Sequence, residues 1–315
     1  MSRLNRSIGL LRSLAIYHGI PWRAAQLRSF YRGFVRPGAL AFDVGAHAGN
    51  RVAAWRRLGA REVAVEPQAD FERLLRRLFA GDPQVTVLAQ ALGRQSGQAQ
   101  LLSSERNPTV STLSADWARR AGASEAFRGV RWTPGPMVSV TTLDALITRF
   151  GTPDFVKIDV EGFELEVLQG LNQALAALSF EYLAPQRDLA AACIDRLQAL
   201  GRYEFRASVG ESLRWLHPGW LDADGAALAR RPAAPGAFGR PLLAARRVVS
   251  PLACCGCLRL RREAVDGRAG ERASYRRRPR AAVAAVLTVL PAPPTHWLGR
   301  PAPRRQALQR PARAA

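Results

Sequence analysis

Short apolar runs alternate with amphipathic segments through the middle of this chain. The runs of about five apolar residues are typical of buried strands, and the segments between them have the spacing of amphipathic helices. The predicted strands are 40–44, 62–65, 85–88, 98–102, 138–140, 155–158, 178–182 and 203–205. The predicted helices are 51–58, 71–79, 115–121, 143–150, 164–171 and 189–200. This alternation predicts an α/β fold, with a mostly parallel twisted sheet and helices on both faces.

The two ends of the chain differ from this middle part. Residues 4–34 have apolar positions at helical spacing that break at residues 19–21, which predicts two short amphipathic helices. We expect these helices to pack on the following domain; the alternative is that they bind an anionic surface. The chain therefore divides into a basic N-terminal helical segment (1–36), a central domain (37–225) and a tail (226–315).

The tail lacks the composition of a folded core. Of its 90 residues, 22 are Ala, 19 are Arg, 11 are Pro and six are Gly, and these residue types do not build a core together. We predict that the tail is disordered. It is either a functional arginine-rich extension or the product of an altered reading frame in GC-rich DNA, and the abrupt change in composition favours the altered frame.

The formal net charge of +21 lies at the ends of the chain. Residues 1–36 carry seven Arg and no acid, and the tail carries 19 Arg and three acids. The central domain carries 20 basic and 22 acidic groups, so it is close to neutral. A strongly basic protein suggests a nucleic-acid or anionic-membrane partner, but here that argument applies only to the two ends.

The cysteines and the apolar runs indicate neither a metal site nor a membrane span. Cys254, Cys255 and Cys257 cluster without a second Cys or His pair, so we predict no metal site. The longest apolar run near the C-terminus, residues 281–290, is about half as long as a membrane span. Arg residues interrupt the apolar N-terminus, which does not resemble a signal peptide. We expect a cytoplasmic protein with no transmembrane segment.

The first predicted strand ends in a glycine turn, FDVGAHAGN, at residues 42–50. Gly45 and Gly49 allow a sharp turn at the carboxyl edge of a parallel sheet, where such sheets bind cofactors. The second strand ends in Glu66, which follows the turn at the distance where Rossmann-type folds place a carboxylate on ribose hydroxyls. A dinucleotide fingerprint would need Gly where His47 and Asn50 stand, and the chain has no phosphate-binding P-loop.

A third signal is the segment DFVKIDVEGFE at residues 154–164, which predicts a buried strand, a turn and a helix. Asp159 and Glu161 would leave the sheet at the same edge as Asp43 and Glu66, so we expect four carboxylates to converge there. For Glu164 we expect only a favourable interaction with the positive helix N-terminus.

These segments, together with VAVEP and VTTLDALI, resemble the FkbM family of S-adenosylmethionine-dependent methyltransferases. The resemblance extends from about residue 38 to residue 205, and DVEGFE with the upstream TLD is its more specific part. It implies a class I methyltransferase fold with a seven-stranded Rossmann-like sheet. It also implies methyl transfer from S-adenosylmethionine, in this family commonly to a hydroxyl of a sugar, a polyketide or another small molecule.

The resemblance also implies roles for individual residues. Glu66 would hold the ribose hydroxyls, Asp159 would face the reacting groups, and the segment 107–113 resembles a loop over the site. The methionine and ribose loop would be formed by Asp43, Gly45, Ala46, Gly49 and Asn50, and the adenine contacts by Gln90 and Ala91. Two features depart from the family pattern. His47 stands where a smaller or amide residue is expected, and the tail replaces an ordered helix and strand.

An alcohol acceptor must lose its proton as it attacks the methyl group, and a carboxylate or His within hydrogen-bond reach can take it. We rank Asp159 first as this base, Glu161 second and His47 third. The acceptor itself would contact Glu181, Ser111 and Thr112, although Glu181 could instead cap the following turn.

The long polar segment 103–136 has the length of a functional lid, and we expect it to decide specificity. Trp117 and Trp132 within it could stack on a sugar ring or could pack the loop against the domain.

Two other functions remain open from the sequence. The basic ends would suit an RNA methyltransferase, but a Lys-Asp-Lys-Glu set needs two lysines and the chain has one, and an amine-methylating [DN]PP[YF] motif is absent. The chain could also be a non-catalytic nucleoside-binding remnant with an incomplete C-terminus. We expect a small-molecule or saccharide acceptor rather than nucleic acid.

Overall fold

The computed structural model describes residues 11, 13–15, 19–104, 107–183, 186–209, 212–228 and 241–247. The strands are β1 (Leu40–Val44), β2 (Arg61–Val65), β3 (Val85–Leu88), β4 (Ala91–Leu92), β5 (Gly97–Ser103), β6 (Thr133–Thr141), β7 (Phe155–Ile158), β8 (Ala177–Glu181), β9 (Tyr203–Val209) and β10 (Pro241–Arg247). The α-helices are α1 (Pro21–Tyr31), α2 (Asn50–Arg56), α3 (Ala69–Leu78), α4 (Ala115–Gly122), α5 (Leu143–Phe150), α6 (Glu164–Gln169), α7 (Arg187–Leu200) and α8 (Ala223–Leu228).

The central sheet has seven strands in the order β3-β2-β1-β7-β8-β10-β9. The first five strands run parallel, and β10 runs antiparallel to both of its neighbours. This confirms the predicted α/β fold with a mostly parallel sheet. The chain order reverses between β1 and β7, so the carboxyl ends of these two strands open on a crevice of the kind that binds cofactors.

Residues 241–247 form a strand, although the whole tail was predicted to be disordered. They form β10, which pairs with β8 through Leu243 and Phe180 and with β9 through Leu243 and Ala207. This pairing is non-local, and for that reason the local composition of Ala, Arg and Pro did not indicate a strand. Residues 229–240 and 248–315, with the three clustered cysteines, lie outside the described residues.

The segment predicted as one long loop contains regular structure. It holds α4, two short 3-10 helices (Pro108–Val110 and Glu125–Phe127) and the first residues of β6. β6 starts at Thr133, five residues before the predicted strand, because its early Pro and Gly positions conceal the strand pattern. It is the centre of a second, three-stranded sheet in the order β4-β6-β5.

The helix α1 packs on the central sheet as expected. Its Tyr31 is fully buried, with ring centroids 5.2 Å from Trp55 on α2 and 5.8 Å from Phe155 on β7. Burial of such side chains contributes about 1.5–3 kcal/mol each. Most of the other predicted N-terminal helix lies outside the described residues.

None of the helices in the described ranges is long and apolar enough to span a membrane. Within the same ranges, no group of three or more His, Cys, Asp or Glu side chains could hold a metal ion.

Candidate active site

A cleft with about 440 Å³ of empty space lies at the carboxyl ends of β1, β2 and β7. This space includes the mouth of the cleft, which is open to solvent. The predicted site residues that line it are Gly45, His47, Glu66, Gln90, Ala91, Ser111, Thr112 and Asp159. The predicted site residues that do not line it are Asp43, Ala46, Gly49, Asn50, Glu161 and Glu181.

The turn after β1 lies directly against the turn after β7. Gly45 has a φ of +78°, and a Cβ atom there would overlap the carbonyl oxygen of Asp159. The amides of Gly45 and Ala46 donate to the carbonyl oxygen of Val65 at 2.9 and 3.1 Å. The turn therefore needs glycine at position 45 both for its backbone conformation and for its close contact with Asp159.

Glu66 follows β2 and faces the cleft with its carboxylate fixed by backbone amides. Its Oε2 accepts a hydrogen bond from the amide of His47 and its Oε1 accepts one from the amide of Gln68, each at 2.9 Å. The residue is 1% exposed. Burial raises its pKa to about 7, and the hydrogen bonds from Gln68 and His47 oppose this shift. Glu66 therefore changes its charge near neutral pH.

Gly49 and Asn50 lie at the start of α2 and do not line the cleft. Gly49 has a φ of +74° and precedes α2, and a Cβ atom there would lie 2.6 Å from Leu75 Cδ2 on α3. The glycine lets α2 and α3 pack closely. Asn50 Oδ1 accepts a hydrogen bond from the amide of Arg51 at 3.0 Å, so this side chain contacts the start of its own helix.

A buried lysine lies between two of the predicted carboxylates. Lys157 Nζ is 3.1 Å from Asp43 Oδ1 and 3.2 Å from Asp159 Oδ2. Burial alone would lower the pKa of Lys157, but the charges of Asp159 and Asp43 outweigh it and raise the pKa above its usual value. Burial raises the pKa of Asp43, and the charge of Lys157 opposes that shift. The sequence pattern did not indicate this role of Lys157.

The turn after β7 is held by Glu164. One oxygen of this carboxylate, Oε1, accepts hydrogen bonds from the amides of Val160 and Gly162 at 3.1 Å each. Between them Glu161 adopts a left-handed conformation with a φ of +56°. Burial raises the pKa of Glu164 to about 8, against the effect of these hydrogen bonds. Glu164 thus orders the turn, which is more than the helix-end interaction that we expected.

Ser111 and Thr112 use their hydroxyl groups to attach the lid segment to both walls of the cleft. Thr112 Oγ1 donates to the carbonyl oxygen of Glu161 at 2.7 Å and accepts a hydrogen bond from the amide of Ser114 at 2.9 Å. Ser111 Oγ lies 3.0 Å from Gln68 Oε1. These contacts hold the segment at the wall of the cleft, and both hydroxyls have partners within the protein.

The two lid tryptophans pack the lid onto the domain. Trp132 Nε1 donates to the carbonyl oxygen of Val110 at 2.7 Å, and its ring centroid lies 5.5 Å from that of Trp117. Trp117 is 3% exposed and contacts Gly162. Neither ring lines the cleft. Of the two alternatives from the sequence, the structure supports packing of the loop.

The four carboxylates expected at one rim separate into two groups. Glu66 and Asp159 line the cleft, whereas Asp43 and Glu161 do not. Asp43 lies inside β1, where its side chain turns to the sheet face that carries Lys157. Glu181 ends β8 and is also buried away from the cleft.

The family profile of the methyltransferase FkbM domain matches residues 43–206, just over half of the chain. No curated protein matches the chain. Among solved structures, it is similar to precorrin-6Y C5,15-methyltransferase from Geobacter metallireducens, with 13% identity over 72% of this chain and 87% of that one and a TM-score of 0.36.

Two further solved structures have comparable similarity. An S-adenosylmethionine-dependent O-methyltransferase from Thermotoga maritima has 13% identity over 73% of this chain and 66% of that one, with a TM-score of 0.34. An rRNA methylase from Streptococcus thermophilus has 10% identity over 70% of this chain and 94% of that one, with a TM-score of 0.37. These likenesses are too distant to indicate an acceptor, and the family assignment rests on the profile match. The chain belongs to the FkbM family of methyltransferases, with the class I Rossmann-like fold and an expected dependence on S-adenosylmethionine.

Proposed function

We propose that this protein transfers a methyl group from S-adenosylmethionine to a hydroxyl group of a small molecule or glycan. The observation that carries this proposal is the position of Glu66. Its buried carboxylate lies in the cleft beside the glycine turn, oriented by the amides of His47 and Gln68. A carboxylate at the end of the second parallel strand is placed to accept hydrogen bonds from the two ribose hydroxyls.

The other walls of the cleft fit the remaining parts of the cofactor. Leu92, Leu101, Leu113 and Phe163 form an apolar lining that suits an adenine ring, and Gln90 adds a polar group beside them. Asp159 lines the cleft as well, so the two carboxylates complement the positive sulfonium and ammonium groups of the cofactor. When bound, S-adenosylmethionine supplies an electrophilic methyl group on a sulfonium.

The residues of this chain would align the acceptor and remove its proton. Proximity and alignment supply much of the acceleration in such a displacement. Asp159 is the favoured base because the residue lines the cleft, and its ion pair with Lys157 orients the carboxylate. His47 also lines the cleft and becomes the second candidate, ahead of Glu161, whose side chain does not.

The acceptor class is inferred from charge. The central domain is close to neutral, and the cleft presents Glu66 and Asp159 rather than cations, an arrangement that disfavours a polyphosphate acceptor such as RNA. The presence of β10 in the sheet also weakens the alternative of a remnant with an incomplete C-terminus.

The cofactor half of the proposal is tested by isothermal titration with S-adenosylhomocysteine. We expect micromolar binding to the full chain and a loss of about 100-fold or more in Glu66→Ala, because hydrogen bonds to a charged group contribute about 1.5–3 kcal/mol each. The control Glu166→Gln removes a carboxylate that pairs with Arg94 outside the cleft, and should bind like wild type. A folded wild-type protein that does not bind would contradict the proposal.

The acceptor half is tested with S-adenosylmethionine that carries an isotope-labelled methyl group. Saccharides, small hydroxylated molecules and RNA are offered separately to the full chain. We expect label in a saccharide or small-molecule product, with kcat strongly reduced in Asp159→Asn and little changed in Glu161→Gln. Label found only in RNA would overturn the acceptor class.

A further inference from the structure

The ammonium of Lys157 is among the most deeply buried charges in the described part of the chain. The residue lies within β7 and is 1% exposed. A buried charge costs several kcal/mol unless its partners compensate for it. Packing alone therefore does not explain why a lysine occupies the middle of a central strand.

Three acceptor atoms surround this ammonium, which has three hydrogens to donate. The carbonyl oxygen of Gly45 lies at 2.9 Å, Asp43 Oδ1 at 3.1 Å and Asp159 Oδ2 at 3.2 Å. These atoms come from β1, from the glycine turn and from the turn after β7. Lys157 is thus the point where the two turns that form the cleft are joined.

The contact with Gly45 determines how the glycine turn lies. The carbonyl of the Gly45–Ala46 peptide accepts from Lys157, and the amide of the same peptide donates to the carbonyl oxygen of Val65 at 3.1 Å. The peptide is therefore held at both ends. The next amide, that of His47, is the one that donates to Glu66.

We propose that Lys157 is a positioning residue for the cofactor cleft, because its ammonium fixes the Gly45–Ala46 peptide and the Asp159 carboxylate relative to each other. This inference rests on the proposed function for its consequence in binding. On this proposal the shape of the cofactor cleft depends on Lys157, although Lys157 does not line the cleft.

A purely structural role would be limited to neutralising the two aspartates. Asp159 and Asp43 favour the charge of Lys157 most and Glu181 on β8 favours it less, whereas the positive charge of Arg51 on α2 opposes it. In Lys157→Met both aspartates lose the ammonium, and Asp43 keeps only the more weakly acting charge of Arg51, so this variant should be much less stable than wild type. In the double variant Lys157→Met/Asp43→Asn one of the two negative charges is also removed, which should recover stability.

The decisive comparison is between recovery of stability and recovery of binding in the double variant. We expect its thermal midpoint to return toward the wild-type value while its affinity for S-adenosylhomocysteine stays at least tenfold weaker. A Lys157→Arg variant should also bind more weakly, because a planar guanidinium cannot reproduce three donors around one atom. Affinity in the double variant within threefold of wild type would overturn the proposal.

A second measurement does not depend on cofactor binding. Amide hydrogen exchange by NMR should become at least tenfold faster at Ala46 and His47 in the double variant, and should stay unchanged in α5, which lies apart from these contacts. Unchanged exchange at Ala46 and His47 would overturn the positioning role, whether or not the wild-type protein binds S-adenosylhomocysteine. Failure of the wild type to bind would instead contradict the proposed function.

Discussion

A buried glutamate lies at each end of β2, but in the described part of the chain only one of the two carboxyl groups has hydrogen-bond partners. At the carboxyl end of β2, Glu66 accepts two backbone hydrogen bonds and faces the cleft. Near the amino end, Glu62 is 2% exposed, and neither of its oxygens has a hydrogen-bond partner within the described residues. Burial, followed by the charge of Asp43, raises the pKa of Glu62 well above its usual value.

The difference shows where this fold compensates its buried charge. At the cleft, a backbone amide donates to the carboxylate of Glu66 and the ammonium of Lys157 pairs with that of Asp159, so both carboxylates are fixed in position. At the other end of β2, the nearby cation Arg56 is occupied by Asp82 at 2.8 Å. Fixed carboxylates can recognise a ligand, whereas a carboxyl group without partners only reduces stability.

The largest effect should come from disturbing the glycine turn at the cleft. Gly45→Ala adds a Cβ atom that overlaps the carbonyl oxygen of Asp159, in a conformation with a φ of +78°. We expect a loss of about 100-fold or more in affinity for S-adenosylhomocysteine, since a strained backbone and a steric clash together exceed about 3 kcal/mol.

The matched control for this variant is Gly81→Ala. Gly81 has a similar φ of +81°, but a Cβ atom there would meet nothing within 4 Å. It should cost only about 1–2 kcal/mol of stability, the cost of the left-handed conformation, and leave binding unchanged. Equal loss of binding in the two variants would show that backbone strain, and not the contact with Asp159, is responsible.

The uncompensated end of the strand should give a gain in stability. Glu62→Met replaces a buried carboxyl group with an apolar side chain of similar length, and should stabilise the protein by about 1–3 kcal/mol. The folded pKa is raised, so folding takes up a proton, and wild-type stability decreases as the pH rises above the unfolded value of about 4.5. The increase in thermal midpoint should therefore be larger at pH 8 than at pH 5. A decrease at both pH values would contradict this account of Glu62.

A smaller effect should follow from loosening the lid. Thr112→Val keeps the shape of the side chain but removes two hydrogen bonds, the one donated to the Glu161 carbonyl oxygen and the one accepted from the Ser114 amide. We expect a three- to tenfold loss of affinity, since a hydrogen bond contributes about 1 kcal/mol and only the one to Glu161 joins the lid to the turn after β7, and faster release measured by stopped-flow. Thr148→Val is the control, because this hydroxyl donates to Asp144 on an exposed part of α5. If the two variants bind alike, Thr112 does not hold the lid.

The sequence predicted the parts of this structure that depend on local pattern. The alternation of strand and helix, the glycine turn and the position of Glu66 at the end of a strand all follow from short segments. The direction of a side chain on a strand buried on both faces does not follow from them, because such a strand has no polar alternation. This is why Asp43 was expected in the cleft and instead pairs with Lys157.

Features that depend on distant partners could not be predicted. The strand β10 forms because it pairs with β8 and β9, and its composition does not reveal these partners. The hydrogen bond from the Thr112 hydroxyl to the Glu161 carbonyl oxygen joins the lid to a turn that lies 49 positions away in the chain. Lys157 carried no signal of its role, since its three partners come from separate turns and strands.

The central claim is that the ionised carboxylate of Glu66 binds the nucleoside, and the pH dependence of S-adenosylhomocysteine affinity tests it most directly. The pKa of Glu66 is about 7 in the free protein. Ribose hydroxyls donate to the ionised form, so affinity should be constant above that pH and fall up to about tenfold per pH unit below it. Glu66→Gln should bind weakly and lose this dependence. A wild-type affinity that does not change between about pH 5.5 and 8.5, or the same change in Glu66→Gln, would contradict the claim.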